Sequence, residues 1–580
     1  MRHHPNQDFY KYIMNGNRNG YDIGIDRTVR LDNNSRNLKT NLDEKIAITD
    51  WIRKGVEDKR NIYGPFNDNA EISKECKFVD ELQLAPMGAV PKEVDLDGNI
   101  LKYRPIVHMS APRKGNSVNS SIPQKEKDVE YIKFLDICEW IFALGVGAWI
   151  WTADAQDAYL RVPVNKQSWK YMGFKWFGMI FIICSLAFGL ASACRIYTEF
   201  ADAVLWIILH NCGDLFWVRK LLCLYHYLDD FFGGHKDRAI AERQFKAVLY
   251  WFDKLGIPTT AKKCCPPTQT PRILGFIYDT RTQMVSVPDD KVIRIVGEIK
   301  RVVRWRKITK RDLLKIIGKL RWASNVMFPG AAFVRHLENA AYEVRELHHF
   351  VKMRGELKKE LRWWLRVLPS AKNGVKLEFI LKNRRWGRGQ FDLDVYTDAS
   401  TSFGVGGHIA GENRKWFRHQ WKHTINKPDI VFNELLGVCV AVKLWAQEWG
   451  GKDILIHCDN MGVVEILKRK CCNFRRKDLM ELVRIICGAA VEYGFYFKVV
   501  HIKGVDNKIA DGLSRKENVD EADRKHVVGS GIQCDELIEE LMDCWNSNLP
   551  SQEAVMESRK NVAYFMRGWD NYKRLRGKRN

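Results

Sequence analysis

Apolar and polar positions fall into recognisable blocks along this chain. From Leu221 to Leu228 a largely apolar run leads into Asp229 and Asp230, then Phe231-Phe232 and Gly233-Gly234. That order predicts two short β-strands joined by a turn that carries both acids. A second apolar strand, Ala148–Thr152, again delivers an acid at its end, Asp154. Trp176–Cys194 has no charged residue over 19 positions, which reaches the length of a membrane span. Glycines and serines interrupt it, however. Phe177–Ile183 is β-rich, and the small-residue stretch Leu186–Cys194 runs into the helical Arg195–Leu209. A buried strand, a turn and a helix are predicted, with no membrane partner.

From Asp289 to Leu368 the period is helical. Thr309 reads as an N-cap. Leu313, Leu314, Ile316, Ile317 and Leu320 form an apolar stripe beside Lys310, Arg311, Lys315, Lys319 and Arg321. Arg384–Gln390 reads as a basic linker. A new alternation of strands and helices follows. Strands are predicted at Leu393–Thr397, Val405–Ala410, Asp453–Cys458 and Tyr496–Ile502. Helices are predicted at Glu434–Trp449, Met461–Lys468 and Lys477–Tyr493, with a short one near Asp511.

These blocks set the boundaries. Residues 1–60 are polar and read as a poorly ordered extension with one helix, Leu42–Gly55. Residues 61–288 mix strands and helices, with a Pro- and Gly-rich layer at Ala85–Ile122. Residues 289–385 are helical, 390–520 form the second α/β block, and 521–580 read as isolated helices with a basic tail. At 580 residues the chain exceeds one core. The overall class is α+β and multidomain.

Charge sharpens the picture. Lys and Arg number 93 against 70 Asp and Glu, a net charge of +23, which favours a polyanionic partner, nucleic acid before a membrane surface. Lys291–Arg366 holds 20 basic and 7 acidic residues. The tail Lys573-Arg574-Leu575-Arg576-Gly577-Lys578-Arg579 reads equally as a nuclear-import signal or a plain basic end. Fifteen cysteines, without a secretory leader at Met1-Arg2-His3-His4, predict free thiols in an intracellular protein of the cytoplasm or nucleus. No zinc-finger spacing is present.

Two adjacent carboxylates at the end of an apolar sheet are costly unless a cation neutralises them. Mg²⁺, which prefers carboxylate oxygen, fits. The alternative is a surface hairpin that happens to carry Asp-Asp. Joining the Asp154 strand to the hairpin in one sheet would bring Asp154, Asp229 and Asp230 together. Three carboxylates there suit a two-metal site that activates a hydroxyl and holds leaving phosphates.

Trp151-Thr152-Ala153-Asp154 and Tyr227-Leu228-Asp229-Asp230 resemble motifs A and C of reverse transcriptases. Ser185-Leu186-Ala187-Phe188-Gly189-Leu190-Ala191-Ser192-Ala193 resembles motif B, with Ala187 and Cys194 where the usual pattern has prolines. Lys262-Lys263-Cys264 with Ile273-Leu274-Gly275-Phe276 resembles the end of the palm. Pro91-Lys92 and Tyr103-Arg104-Pro105-Ile106-Val107 resemble the fingers. His108-Met109-Ser110, Ser117-Val118-Asn119 and Ile122-Pro123, with the helix from Ile308 to Leu320, resemble retroelements of the DIRS type.

The resemblance implies a right-hand polymerase. Fingers and palm would occupy residues 61–288, and thumb and connection residues 289–385. Asp154, Asp229 and Asp230 would hold the metals. Lys92 and Arg104 would meet the triphosphate of a deoxynucleotide, and Asp157 and Ala158 would offer backbone N–H groups. Tyr159 would stack under the sugar and exclude a 2′-hydroxyl, while Phe188 and Gly189 would shape the pocket. Lys263 would protonate the leaving pyrophosphate, unless it is simply a surface lysine.

Four later acids, Asp398, Glu434, Asp459 and Asp511, stand at strand ends or on helices, where capping is the default role. Thr397-Asp398-Ala399-Ser400 and His501-Ile502-Lys503-Gly504 through Asn507 to Ala510-Asp511 resemble a ribonuclease H domain of the long-terminal-repeat class. The resemblance implies two-metal hydrolysis at these acids. His501 would assist product release or proton transfer, or only end a strand. Each active site would take two Mg²⁺, with Mn²⁺ as a substitute. The implied partners are an RNA template, an RNA–DNA hybrid and a DNA primer–template. A host-adopted, non-catalytic nucleic-acid-binding protein is the rival reading, which does not need the intact carboxylates. No tyrosine-recombinase or aspartic-protease signature is found.

Overall fold

The structure is a computed structural model. It describes residues 1–32, 36–58, 61–76, 82–95, 99–112, 114–327, 329–384, 391–411, 415–421, 428–473, 475–515 and 531–546. Helices and mixed sheets alternate throughout, as the α+β class requires. The chain divides into two compact units, Met1–Arg294 with Ser370–Arg384, and Ile295–Pro369 with 385–580.

At the centre of the first unit lies a four-stranded antiparallel sheet. Its order is Cys265–Thr268, Trp149–Asp154, Asp230–His235 and Leu224–Tyr227. Trp151, Ala153, Phe231 and Phe232 are buried in it. The helix Arg238–Lys254 packs on the two middle strands, and Gln244 Oε1 accepts from the Trp151 indole at 3.2 Å. Gly233 is required there, since a Cβ would stand 2.4 Å from the Cys223 carbonyl oxygen. A hairpin, Met87–Val94 with Ile100–Val107, carries Lys92 and Arg104. The charge-free segment becomes the end of strand Gly173–Trp176, strand Met179–Ile183, a loop, and the start of helix Ala193–Cys212.

The N-terminal residues depart from the expected loose extension. Two helices form, Gln7–Asn19 and Leu42–Glu57, the second closed by an Asn41–Glu44 capping box. Ile13, Tyr21, Ile23, Ile25, Ile48 and Ile52 are buried. The alternation Tyr21, Ile23, Ile25 is a period-2 signal set among many polar neighbours. Tyr21 bonds through its backbone to Pro163 (2.8 Å) and Asn165 (2.9 Å), and the Ser192 hydroxyl donates to the Ile23 carbonyl at 2.7 Å.

The helical block 289–385 is also divided. Residues 370–384 return to the first unit, where Val375–Lys376 pairs with Met284–Ser286 and Leu377–Arg384 packs on Phe134–Leu144. The Lys310–Ala323 helix forms in the second unit. Thr309 caps it by accepting from the Asp312 N–H, and Leu313, Ile316, Ile317 and Leu320 are buried, whereas Leu314 is half-exposed.

The second unit also contains a five-stranded mixed sheet. Its order is Trp416–Gln420, Gly404–Ile409, Leu393–Ala399, Asp453–Cys458, Tyr496–His501. The first three strands are antiparallel, and the last two join in parallel. The buried helix Ile430–Trp445 packs against the first of these strands in sequence and its antiparallel neighbour. Trp416–Gln420 is absent from the sequence-based elements, because Arg418, His419 and Gln420 break its apolar pattern. The basic tail and the linker after Arg384 lie outside the described residues.

Candidate active sites: two carboxylate clusters

The central sheet of the first unit brings its acids together by register. Asp230, first residue of its strand, faces Asp154, last residue of the neighbouring strand. Asp229 sits in the turn beside Leu228, whose φ is +51°, and its carbonyl accepts from the Ala155 N–H at 2.9 Å. The two-strand prediction therefore holds, with the turn at Leu228-Asp229 and Asp230 already in the strand. Lys263 Nζ donates to both Asp154 oxygens, at 2.8 and 3.1 Å.

Burial, and after it the Asp154 charge, raises Asp229, against its own backbone N–H, Lys263 and Arg104. Asp230 keeps solvent-exposed surface at the strand end, yet burial of the carboxyl and then Asp229 and Asp154 push it up to about 6. The hydrogen bond to Asp154 raises Lys263. One lysine thus faces three carboxyls, and an all-oxygen donor set with excess negative charge fits a hard divalent cation.

An open cleft of about 1640 Å³ is lined by Asp229, and by Lys263, which bonds Asp154. Lys92, Arg104, Asp157, Ala158, Tyr159, Phe188, Gly189, Asp229 and Lys263 all line it. Every residue expected to touch a nucleotide is therefore in one place. Burial, then Lys102, Arg104 and Lys263, lowers Lys92, the mark of a concentrated positive field. The Arg104 guanidinium lies 4.7 Å from the Phe188 ring centre. Phe188 packs on Tyr159 at 5.1 Å, and Tyr197 meets Tyr159 edge-on at 5.5 Å.

The turn at Phe188-Gly189 is fixed by close approach. Gly189 has φ +113°, and a Cβ would stand 2.1 Å from the Val107 carbonyl oxygen. Asn119 clamps the same turn. Its Nδ2 donates to the Gly189 carbonyl at 2.7 Å, and its Oδ1 accepts from the Ala191 N–H at 2.8 Å. From the sequence alone Asn119 has no visible role, because its partners lie some 70 positions away.

In the second unit Asp398 and Glu434 are buried, 3% and 2% exposed. Glu434 does not open its helix. The helix starts at Ile430 under an Asp429 cap, which places Glu434 one turn inside, against the sheet. Its Oε1 accepts from the Ala399 N–H at 3.2 Å. Glu434, Cys458 and Asp459 offer ligand atoms within 4.8 Å of one another. The Ser514 hydroxyl donates to Asp398 at 2.5 Å. Asp511, on the helix Lys508–Ser514, pairs with Arg515 at 2.7 Å.

Burial, then Asp459 and Asp511, pushes Asp398 up to about 7, against Ser514 and Arg515. Burial, then Asp398 and Asp459, pushes Glu434 up to about 9. The four acids therefore share one field, again suited to a divalent cation. His501 is exposed at the end of its strand, in register with Cys458, and shows no contact with the carboxylates among the described residues. Ser514 and Cys458 escaped the sequence reading of this cluster.

Several solved structures resemble the chain, among them three of one viral enzyme. The foamy viral protease-reverse transcriptase dRH in complex with double-stranded DNA aligns with TM-score 0.46 and 14% identity, over 83% of this chain and 73% of that one. The foamy viral protease-reverse transcriptase with RNA/DNA hybrid gives 0.43 and 14%, over 85% and 79%. The form with double-stranded DNA gives 0.43 and 16%, over 82% and 86%. Residues 101–278, which include Asp154, Asp229 and Asp230, match the family model described as reverse transcriptase (RNA-dependent DNA polymerase), so the chain carries a reverse transcriptase domain.

Proposed function

We propose that this chain is an RNA-directed DNA polymerase, able also to copy DNA, with a linked ribonuclease H activity, serving replication of a DIRS-like retroelement inside the cell. The observation that carries the reading is the register that sets Asp230 opposite Asp154 beside the Asp229 turn, with Asp229 lining the same cleft as Lys92, Arg104 and Tyr159. The regions proposed are fingers and palm at 61–288, thumb and connection at 289–385, of which residues 370–384 pack with the first unit, and ribonuclease H at 390–520.

Asp154, Asp229 and Asp230 would hold two Mg²⁺, which when bound supply Lewis-acid activation of the primer hydroxyl and neutralise the leaving phosphates. Lys92 and Arg104 would pair with triphosphate oxygens, the guanidinium in bidentate fashion. Asp157 and Ala158 would direct backbone N–H groups at the same anion. Tyr159 and Phe188 would form an apolar floor under the sugar and base, and Gly189 keeps the backbone close. Lys263 would swing from Asp154 toward the leaving group and give it a proton. In the second cluster Asp398, Glu434, Asp459 and Asp511 would hold the corresponding pair of cations and direct water at the RNA strand, with His501 at the exit.

Primer extension on an RNA template tests the reading. The chain with Mg²⁺ or Mn²⁺ should add deoxynucleotides processively enough to copy the template. No extension with either ion refutes it.

A further inference from the structure

Tyr159 is held by three contacts. Phe188 packs on its ring at 5.1 Å and Tyr197 at 5.5 Å, in planes 58° and 79° away. Ring contacts of this kind set the tilt of a phenol and leave its hydroxyl end free to slide. The third contact removes that freedom. The Tyr159 hydroxyl and the Cys194 thiol lie 3.1 Å apart, within hydrogen-bond reach for sulfur. Cys194 belongs to the first turn of the helix Ala193–Cys212, where Ala193, Ile196 and Tyr197 are buried. The Cys194 carbonyl also accepts from the Thr198 hydroxyl at 2.8 Å. A cysteine has one side-chain torsion, so a thiol on this anchored turn is a fixed point.

We propose that Cys194 positions Tyr159, and so sets how strictly the cleft rejects a ribose 2′-hydroxyl, through the thiol–phenol hydrogen bond. The inference rests on the polymerase reading and names a specificity-setting residue within it. Burial and the Cys194 thiol both push the Tyr159 phenol up, so it remains a neutral hydroxyl able to donate. The same thiol neighbours Tyr131, whose ring packs on Tyr227 at 5.0 Å. Tyr227 ends the strand that leads to Asp229. One side chain therefore ties the floor of the cleft to the turn that carries the carboxylates. The motif this segment resembles has proline at position 194, which offers no side-chain donor or acceptor. The tether belongs to this sequence.

The test is the ratio of kcat/KM for a deoxynucleotide to that for its ribonucleotide in single-nucleotide primer extension. Losing one such bond should lower the ratio about five- to tenfold in Cys194→Ala. Cys194→Ser, which keeps a hydroxyl partner, should restore it to within about twofold of wild type. Tyr159→Phe removes the same bond from the other end without touching the helix, so the ratio stays readable if Cys194→Ala does not fold. Adding Cys194→Ala to Tyr159→Phe should then lower the ratio by less than Cys194→Ala does alone. An unchanged ratio in Cys194→Ala or in Tyr159→Phe overturns the proposal. Failure of the polymerase reading is a separate result, since wild-type protein would then add neither nucleotide.

Discussion

Asp230 stands directly opposite Asp154 across two antiparallel strands, with Asp229 in the adjoining turn. Facing like charges are destabilising unless something positive lies between them. Lys263 is the cation in contact with Asp154, and it leaves Asp230 pushed up to about 6.

A pH dependence follows from that value. A carboxyl whose pKa is higher in the folded chain than in the unfolded one stabilises the fold while protonated. Its contribution is fully present below about pH 4 and is lost as pH rises through about 6. In chelator, thermal stability should fall over that window, and Asp230→Asn should flatten the fall. Mg²⁺ competes with the proton, so its stabilising effect should grow as pH rises through the same range. Calorimetry from pH 4 to 8 with and without Mg²⁺ reads both effects.

Gly189→Ala should unfold or badly weaken the first unit. Its φ of +113° and a Cβ at 2.1 Å from the Val107 carbonyl oxygen leave the methyl no room. Strain and overpacking together should cost about 2–4 kcal/mol. Asn119→Ala, which frees the same turn from the other side, should cost about 1–3 kcal/mol. Urea denaturation measures each.

Much of the polymerase cleft was legible because local patterns carried it. Apolar strands that end on Asp154 and lead into Asp229-Asp230 announce their own geometry, and the Thr309 cap and the Asp453–Cys458 strand follow equally local rules. What escaped depends on distant partners. Asn119 reads as a polar loop residue until Gly189 is beside it. Glu434 reads as the start of its helix, whereas the Asp429 cap begins that helix a turn earlier. Tyr21, Ile23 and Ile25 lie in a segment whose composition suggests solvent, and only the core they enter shows otherwise.

Ser514→Ala should move the proposed RNA-strand cleavage alkaline. The Ser514 hydroxyl donates to Asp398 at 2.5 Å and helps to hold down a carboxyl that burial has pushed up to about 7. Without that donor the proton is released at higher pH. The rising limb of RNA-strand cleavage against pH should shift upward, with the plateau reached later. An unshifted limb contradicts this role for Ser514.

A buried ion pair in the second unit gives a stability prediction. Glu360 accepts from Arg484 and from the N–H groups of His336 (3.0 Å) and Leu337 (3.1 Å), at the start of the helix Arg335–Tyr342. Arg484→Met leaves a buried carboxylate without its cation and should cost about 3–5 kcal/mol. Combining it with Glu360→Leu should recover part of that loss. Chemical denaturation of the single and double variants measures the difference.

Under the proposed function, the two carboxylate clusters run two separate reactions. The most direct measurement uses one substrate, a labelled DNA primer on a differently labelled RNA template, with Mg²⁺ and deoxynucleotides. Wild-type protein should lengthen the primer and cut the template. Asp229→Asn should lose extension by at least about a hundredfold and still cut a preformed hybrid, while Asp459→Asn should extend and not cut. Extension by Asp229→Asn at the wild-type rate, or loss of both reactions in either variant while it remains folded, would show that the two clusters are not separate active sites.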